Sequence, residues 1–251
     1  MTFARETFIV FRRQLRMNLR NPVWVIIGLL QPVLYLLLFG PLLEPLVAQF
    51  GARNAYTFFV PGLLIMLSMF GAMFAGFSLI GEWREGVIEA ERVTPASRGA
   101  LLMGRLARDL LQLFVQAAIL VLLALAMGMV ADGVGILLGM ALTLLIGGAC
   151  AASSNALALS TKSEDAMAPV INMVMMPVLL LSGILLPMTL GPAWLTRISD
   201  FMPFRYIVDA TRSGFAGAFG GSEIWWGAAW AVALCALGVW WGTATFRREN
   251  A

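Results

Sequence analysis

The chain has 251 residues, of which 60% are hydrophobic and 12% charged, with a mean hydropathy of +0.86. A water-soluble domain carries about a quarter charged residues, so this balance excludes one and points to a membrane protein. The formal charge of +3 is the sum of a basic inner side and a slightly acidic outer side, which is topology and lipid contact and not a nucleic-acid groove.

Residues 1–22 are predicted to form an amphipathic helix. Phe8, Phe11, Leu15 and Leu19 recur at helical spacing, while Arg12, Arg16 and Arg20 form a separate basic row. Such a helix suits the inner membrane surface; an ordinary basic flank that only fixes orientation is the alternative. Asn21 and Pro22 break it. The segment is too charged for a removable signal peptide, so the span that follows must direct insertion.

Spanning a hydrocarbon core takes about 20 apolar residues in a helix. Six stretches qualify: Val23 to Leu43, Thr57 to Ile80, Leu110 to Val130, Val134 to Leu159, Ala166 to Met188 and Ile224 to Phe246. Alternating strand-like segments are missing, so the fold class is all-α: a polytopic bundle of six transmembrane helices in one membrane domain, residues 23–251. Six spans put both termini on one side. Placing them in the cytoplasm leaves only Arg53, Arg197, Arg205 and Arg212 of the 17 basic residues outside, which satisfies the positive-inside rule. Trp24, Trp225, Trp226, Trp240 and Trp241 fall at span ends, where indole rings favour the interface.

In the first span Gln31 and Pro32 predict a kink facing neighbouring helices. The fourth, with Gly147, Gly148, Ala149, Ala151, Ala152, Ser153 and Ser154, predicts close helix packing. Cys150 and Cys235 lie within spans and read as packing residues. Ser68, Ser78, Asn155, Asn172 and Ser182 are polar groups at membrane depth that want partners across helices.

Two segments outside the spans stand out. The outer one, residues 189–223, is apolar for a loop and is broken at Pro192, Pro203 and Gly214. It predicts two short helices tucked back into the outer face, with Arg205, Asp209 and Arg212 spaced as ion pairs. A hydrophobic cap on the bundle and an exit gate both fit it. The inner one, residues 81–109, is densely charged.

Several chemistries lack their residues. There is no histidine, and no ionisable side chain falls within the spans as drawn, which argues against a proton relay. No nucleophile stands beside a base, and no metal-ligand cluster is evident. The carboxylates Glu82, Glu85, Glu89 and Glu91, with arginines interleaved, read as a solvated helix surface. A phosphate-binding loop ends in Gly-Lys followed by Ser or Thr, but the one lysine, Lys162, follows Thr161. If ATP drives this protein, another polypeptide hydrolyses it.

The inner segment runs Gly81-Glu-Trp-Arg-Glu-Gly86-Val-Ile-Glu89-Ala-Glu-Arg92-Val-Thr94-Pro95-Ala-Ser97-Arg98 and then Leu101-Leu-Met-Gly104-Arg105. Glu85 to Val93 predicts a charged helix that Thr94-Pro95 stops, and Ser97 is a predicted cap for the next helix. A helix, a stop and a helix with charges of both signs suit docking on a soluble partner.

Glu82, Glu85-Gly86, Glu89, Arg92, Thr94-Pro95, Ser97-Arg98 and Gly104-Arg105 resemble the signature loop of type-2 ABC exporter permeases, particularly the daunorubicin-resistance branch. Pro187, Pro192-Ala-Trp194-Leu195, Pro203, Tyr206, Asp209 and Arg212 are similar to that family's pattern before its last span. Glu91-Arg92-Val93 departs from the aliphatic stretch expected there.

The resemblance implies a homodimer or pseudo-dimer of permeases in a bacterial plasma membrane, with separate ABC ATPase subunits that bind ATP and magnesium. No cofactor would sit on this chain. Glu82, Glu85, Gly86, Glu89, Arg92, Thr94, Pro95, Ser97 and Arg98 would couple it to the ATPase, and Pro203, Tyr206, Asp209 and Arg212 would form an outer gate. Met66, Met69 and Met73 on one face of the second span, with Asn172 and Met176 in the fifth, are candidates for a path taken by a hydrophobic or amphiphilic cargo; thioethers adapt to varied apolar shapes, though such residues also serve as plain packing. An ATP-independent secondary transporter or channel, and a membrane enzyme acting on lipid head groups, are the competing classes.

Overall fold

A computed structural model describes residues 3–20, 23–45, 54–87, 97–185, 188 and 191–249. Among the described residues are nine helices and no strand: α1 (Phe3–Arg20), α2 (Val23–Leu43), α3 (Ala55–Arg84), α4 (Arg98–Ala126), α5 (Gly133–Thr161), α6 (Glu164–Leu181), α7 (Ala193–Ser199), α8 (Pro203–Phe215) and α9 (Ser222–Glu249). Helices α2, α3, α4, α5, α6 and α9 are the six long and apolar enough to cross a membrane. The predicted class and span count hold.

Helix starts follow local chemistry. Asn54 accepts hydrogen bonds from the Tyr56 and Thr57 amides at the start of α3, and Asp132 accepts one from the Gly135 amide at the start of α5, each satisfying an amide that has no partner within its helix. Lys162 ends α5 in the left-handed conformation, with φ of 50°.

Helices α3 and α5 form the centre. Their apolar spans are 67% and 56% buried, against 17% to 33% for the other four. They approach closely because Gly76 has no side chain: a Cβ there would lie 2.5 Å from the Ser154 carbonyl oxygen. Ser154 Oγ accepts from the Gly76 amide at 3.1 Å and donates to the Met73 carbonyl at 2.6 Å, a cross-link between the two helices. The small residues of the fourth span therefore serve close packing, as predicted.

The two short helices predicted in the outer segment are α7 and α8. Helix α8 runs back along α9: Ser213 bonds Glu223, while Tyr206 and Ala210 pack on Gly227. Its other side seats on α5, where a Cβ on Gly135 would fall 1.9 Å from the Gly214 carbonyl oxygen.

Helix α1 packs in parallel beside the first half of α4. Phe3 meets Gly99, Val10 meets Gly104, and Asn18 bonds Gln112. The row it buries contains Val10 and Gln14, whereas Phe8 and Leu19 are 61% and 73% exposed and Arg12 and Arg16 face outward. The helix has three faces: one for protein, one apolar and one basic.

Three expectations are corrected. The apolar stretch of the third span starts at Leu110, but α4 begins at Arg98 and passes through Arg105, Arg108 and Asp109. Charged side chains enter the bundle because neighbouring helices supply their partners. The fifth span ends at Leu181, not Met188, at a turn in which Gly183 takes φ of 72°. In helix α2, which runs on through Pro32 and Pro41, Pro32 is buried as expected but Gln31 is exposed on the outside, not turned toward neighbours.

Candidate functional site

We term the end of the bundle beside α1 proximal and the opposite end distal. The proximal end holds a polar lock. Glu82, near the end of α3, accepts from Arg105 Nη2 of α4 at 2.6 Å and from Gln14 Nε2 of α1 at 2.9 Å. Glu82 is 7% exposed, Arg105 2% and Gln14 1%. One turn along α4, Arg108 pairs with Asp109 at 2.7 Å, and its other terminal nitrogen lies 3.5 Å from Asn18 Oδ1. Asn18 in turn donates to Gln112 at 2.7 Å. At the rim Arg84 of α3 pairs with Glu164 of α6 at 3.1 Å.

This geometry overturns the solvated-surface reading for Glu82: it is a buried partner of two other helices. Glu82, Arg105, Arg108 and Asp109, expected in the loop between spans, belong to the spanning helices α3 and α4 themselves, at ends that extend past the apolar stretches. Gln14, Asn18, Arg108, Asp109 and Gln112 join this site without having been candidates from sequence. A signal was present in the polar row Arg108, Gln112, Gln116, spaced four apart on one face of an otherwise apolar helix.

The segment between α3 and α4 starts with Glu85 and Gly86 in a turn after α3, with φ of 74° at Gly86. Glu89, Arg92, Thr94 and Pro95, and with them most of the predicted charged helix, lie outside the described residues, as does the side chain of Arg98. Ser97 stands at the cap position of α4 but makes no side-chain cap bond. Glu6 of α1 instead bonds the cap residue's own backbone, accepting from the Ser97 amide at 2.9 Å. That bond, first of all, holds the Glu6 carboxyl below its usual range.

The distal end holds a clamp centred on Arg212 of α8. Its Nε donates to the Phe58 carbonyl at 3.2 Å, and Nη2 donates to the carbonyls of Gly183 at 2.8 Å and Ile184 at 3.3 Å. The guanidinium also lies 4.2 Å over the Phe58 ring. One side chain thus joins α8, the start of α3 and the turn after α6. Burial lowers the Arg212 pKa to about 10, opposed by Asp209. Asp209 sits 3.6 Å from Arg205 and 3.9 Å from Arg212, the predicted spacing pairs. Burial raises its carboxyl, with the two arginines pulling it down. Tyr206 donates to the Asp200 carbonyl at 2.9 Å, Arg205 pairs with Asp200, and Pro203 opens α8 in its first turn.

The candidate path residues separate. Met66 and Met69 are sealed in the core at 1% and 0% exposure. Met73 lines an apolar groove between α6 and α9, floored by Cys150. Asn172 and Met176 are on the exposed face of α6. The structure does not bring the five together.

The family model described as ABC-2 type transporter matches residues 5–216. The chain is 29% identical over 215 residues to the putative transport permease ycf38 of Cyanophora paradoxa, covering 84% of this chain and 74% of that protein. It is 27% identical over 201 residues to the daunorubicin resistance ABC transporter permease protein DrrB1 of Streptomyces coeruleorubidus, covering 79% and 71%. A ycf38 permease of Pyropia yezoensis is 27% identical over 199 residues, covering 77% and 68%.

Proposed function

Because the chain belongs to the ABC-2 type transporter family, we propose that it is the permease subunit of an ATP-driven exporter, working with separate ABC ATPases that bind ATP and magnesium and moving a hydrophobic or amphiphilic molecule out of the cell. The observation that carries the reading is the proximal lock. Glu82 and Arg105 bracket the segment between α3 and α4, and a buried ion pair bridged to α1 makes the bases of three helices move together. A partner pressing on residues 85–98, which include Glu85, Gly86, Glu89, Arg92, Thr94, Pro95, Ser97 and Arg98, would shift α3 and α4 as one. The distal clamp, with Pro203, Tyr206, Asp209 and Arg212, is the proposed outer gate.

The proposed assembly is a homodimer in a bacterial plasma membrane with both termini in the cytoplasm. Gln31 of α2 and Asn172 of α6 are exposed, each about two turns from the proximal end of its helix. Amides at that depth are costly against lipid, and a second copy offers them partners.

Co-expression with a candidate ATPase and purification through a tag on the permease tests the reading. A stable complex whose ATP hydrolysis is stimulated by amphiphiles is expected. Purification of the permease without any ATPase overturns it. Reversing charge in the segment, as in Glu85→Lys, should uncouple hydrolysis from transport while membrane insertion persists.

A second reading, an ATP-independent secondary transporter, draws on the charges buried in α3 and α4. Uptake driven by an ion gradient in vesicles holding the purified chain alone would establish it.

A further inference from the structure

An apolar groove of about 460 Å³ is open on the side of the bundle between α6 and α9. Cys150 and Leu157 of α5 form its floor, Val170 and Val174 of α6 one wall, and Leu237 and Trp241 of α9 the other. No charged residue lines it. Both walls end in exposed side chains, so the opening faces outward from the bundle.

Its depth is that of one membrane leaflet. Phe204, in the first turn of α8, closes the inner end: Ser213 and Tyr206 meet α9 at Glu223 and Gly227, so Phe204 lies further toward the middle of that helix. Trp240 and Trp241 stand at the other end, near the proximal limit of the α9 span, the level that indole rings favour. Along α5 the floor runs from Ala149 to Leu157, about 12 Å at 1.5 Å per residue and close to half of a hydrocarbon core about 30 Å thick. Beyond the indoles, Lys162 is exposed at the end of α5, and Arg248 is exposed on the same side of α9 as Trp241. Asp165, at the start of α6, is exposed there as well.

Other occupants fit less well. Water finds no partners on such walls, and a groove left empty forfeits dispersion contacts along its floor. A second copy is the remaining rival. Yet Asn172, the amide assigned above to the interface between copies, is on the opposite side of α6 from Val170 and Val174, at about 100° per residue. We propose that the groove seats one acyl chain of a glycerophospholipid from the proximal leaflet, with the phosphate at the level of Lys162 and Arg248. Such a lipid is a resident of the fold and not the cargo, and its seat depends on the spanning helices alone, without the transport reading.

A photoreactive lipid tests it. The purified full chain is placed in nanodiscs of phosphatidylcholine that include a small share of phosphatidylcholine with a diazirine at the far end of one chain, and adducts are located by peptide mass spectrometry. Label is expected at the inner end of the groove, on Phe204 and on Cys150, which is 7% exposed. Val174→Trp, which fills the groove from an exposed position, should lower that label about tenfold. Val232→Trp, at an exposed position of α9 outside the groove, should leave it unchanged.

If Val174→Trp does not fold, Leu237→Trp on the facing wall serves in its place. Cys150 left unlabelled, or labelled equally in the wild type and in Val174→Trp, overturns the inference. So does a lower oligomeric state in Val174→Trp, read by light scattering, which would give the groove to a second copy. Neither ATPase nor cargo is present, so these outcomes leave the transport reading standing; failure of the permease to bind an ATPase counts against the transport reading alone.

Discussion

The two ends of the bundle are tied by different means. At the proximal end Glu82 is held by side chains of two other helices, all nearly sealed from water. At the distal end Arg212 is held mainly by backbone carbonyls at helix ends, beside a carboxylate, Asp209, whose side chain is 42% exposed. Separating the proximal partners strands charges in a low-dielectric interior. The distal carbonyls of Gly183 and Ile184 are also buried, but they are neutral, so a departing guanidinium strands no opposite charge on them. Loss of a partner should therefore cost more at the proximal end than at the distal end, the contrast that the proposed coupling region and outer gate require.

Removing one member of the proximal pair tests this most severely. Arg105→Met leaves Glu82 ionised with Gln14 alone among its two hydrogen-bonding partners, and a loss of about 3–5 kcal/mol is expected, read from thermal unfolding in detergent. Glu82→Gln combined with Arg105→Met should recover most of it, because both charges are gone. A cost below about 1 kcal/mol for Arg105→Met, the range of an exposed pair, would erase the contrast between the ends.

Arg212→Lys keeps the charge but loses the planar fork that reaches three carbonyls, and about 1–3 kcal/mol is expected at the distal end. The sharper readout is local. A cysteine introduced by Ile184→Cys, at a position now fully buried, should react faster with a water-soluble maleimide once Arg212 is changed. Ser154→Ala cuts the α3–α5 cross-link between the ends, should cost about 0.6 kcal/mol, and should leave labelling at that cysteine unchanged.

Apolar periodicity announced the six spans, the two short distal helices and the close-packed α5, because those depend on composition over a whole window. Arg205, Asp209 and Arg212 were also readable, since three- and four-residue spacing on one helix fixes proximity. The bond from Gln14 to Glu82 spans 68 positions, and no local rule brings those residues together. Arg105, Arg108 and Asp109 read as loop residues in the sequence, because charge ends an apolar stretch without ending the helix. Helix α4, with 29 residues, is about 43 Å long at 1.5 Å per residue, enough to exceed the hydrocarbon core and carry charges at one end. Arg212 stayed half-legible: its pairing with Asp209 is local, whereas its three carbonyl partners come from backbone placed by the fold.

Proton binding gives the smallest and most discriminating contrast. Glu6, at the proximal end, has its carboxyl lowered by the Ser97 amide, so the unfolded chain binds more protons there. Its contribution to stability is present above the unfolded pKa and is lost as pH falls through the lowered value. Asp209, at the distal end, is raised by burial despite Arg212 and Arg205, so the folded chain binds more protons, and its contribution falls as pH rises through the raised value. Acidification should therefore loosen the bond from α1 to the start of α4 while easing the burial of Asp209. Unfolding followed across the carboxylate range should give slopes of opposite sign when the wild type is compared with Glu6→Gln and with Asp209→Asn. Slopes of the same sign would mean that Asp209 is governed by its arginines and not by burial, which would make the distal clamp an ion-pair lock like the proximal one.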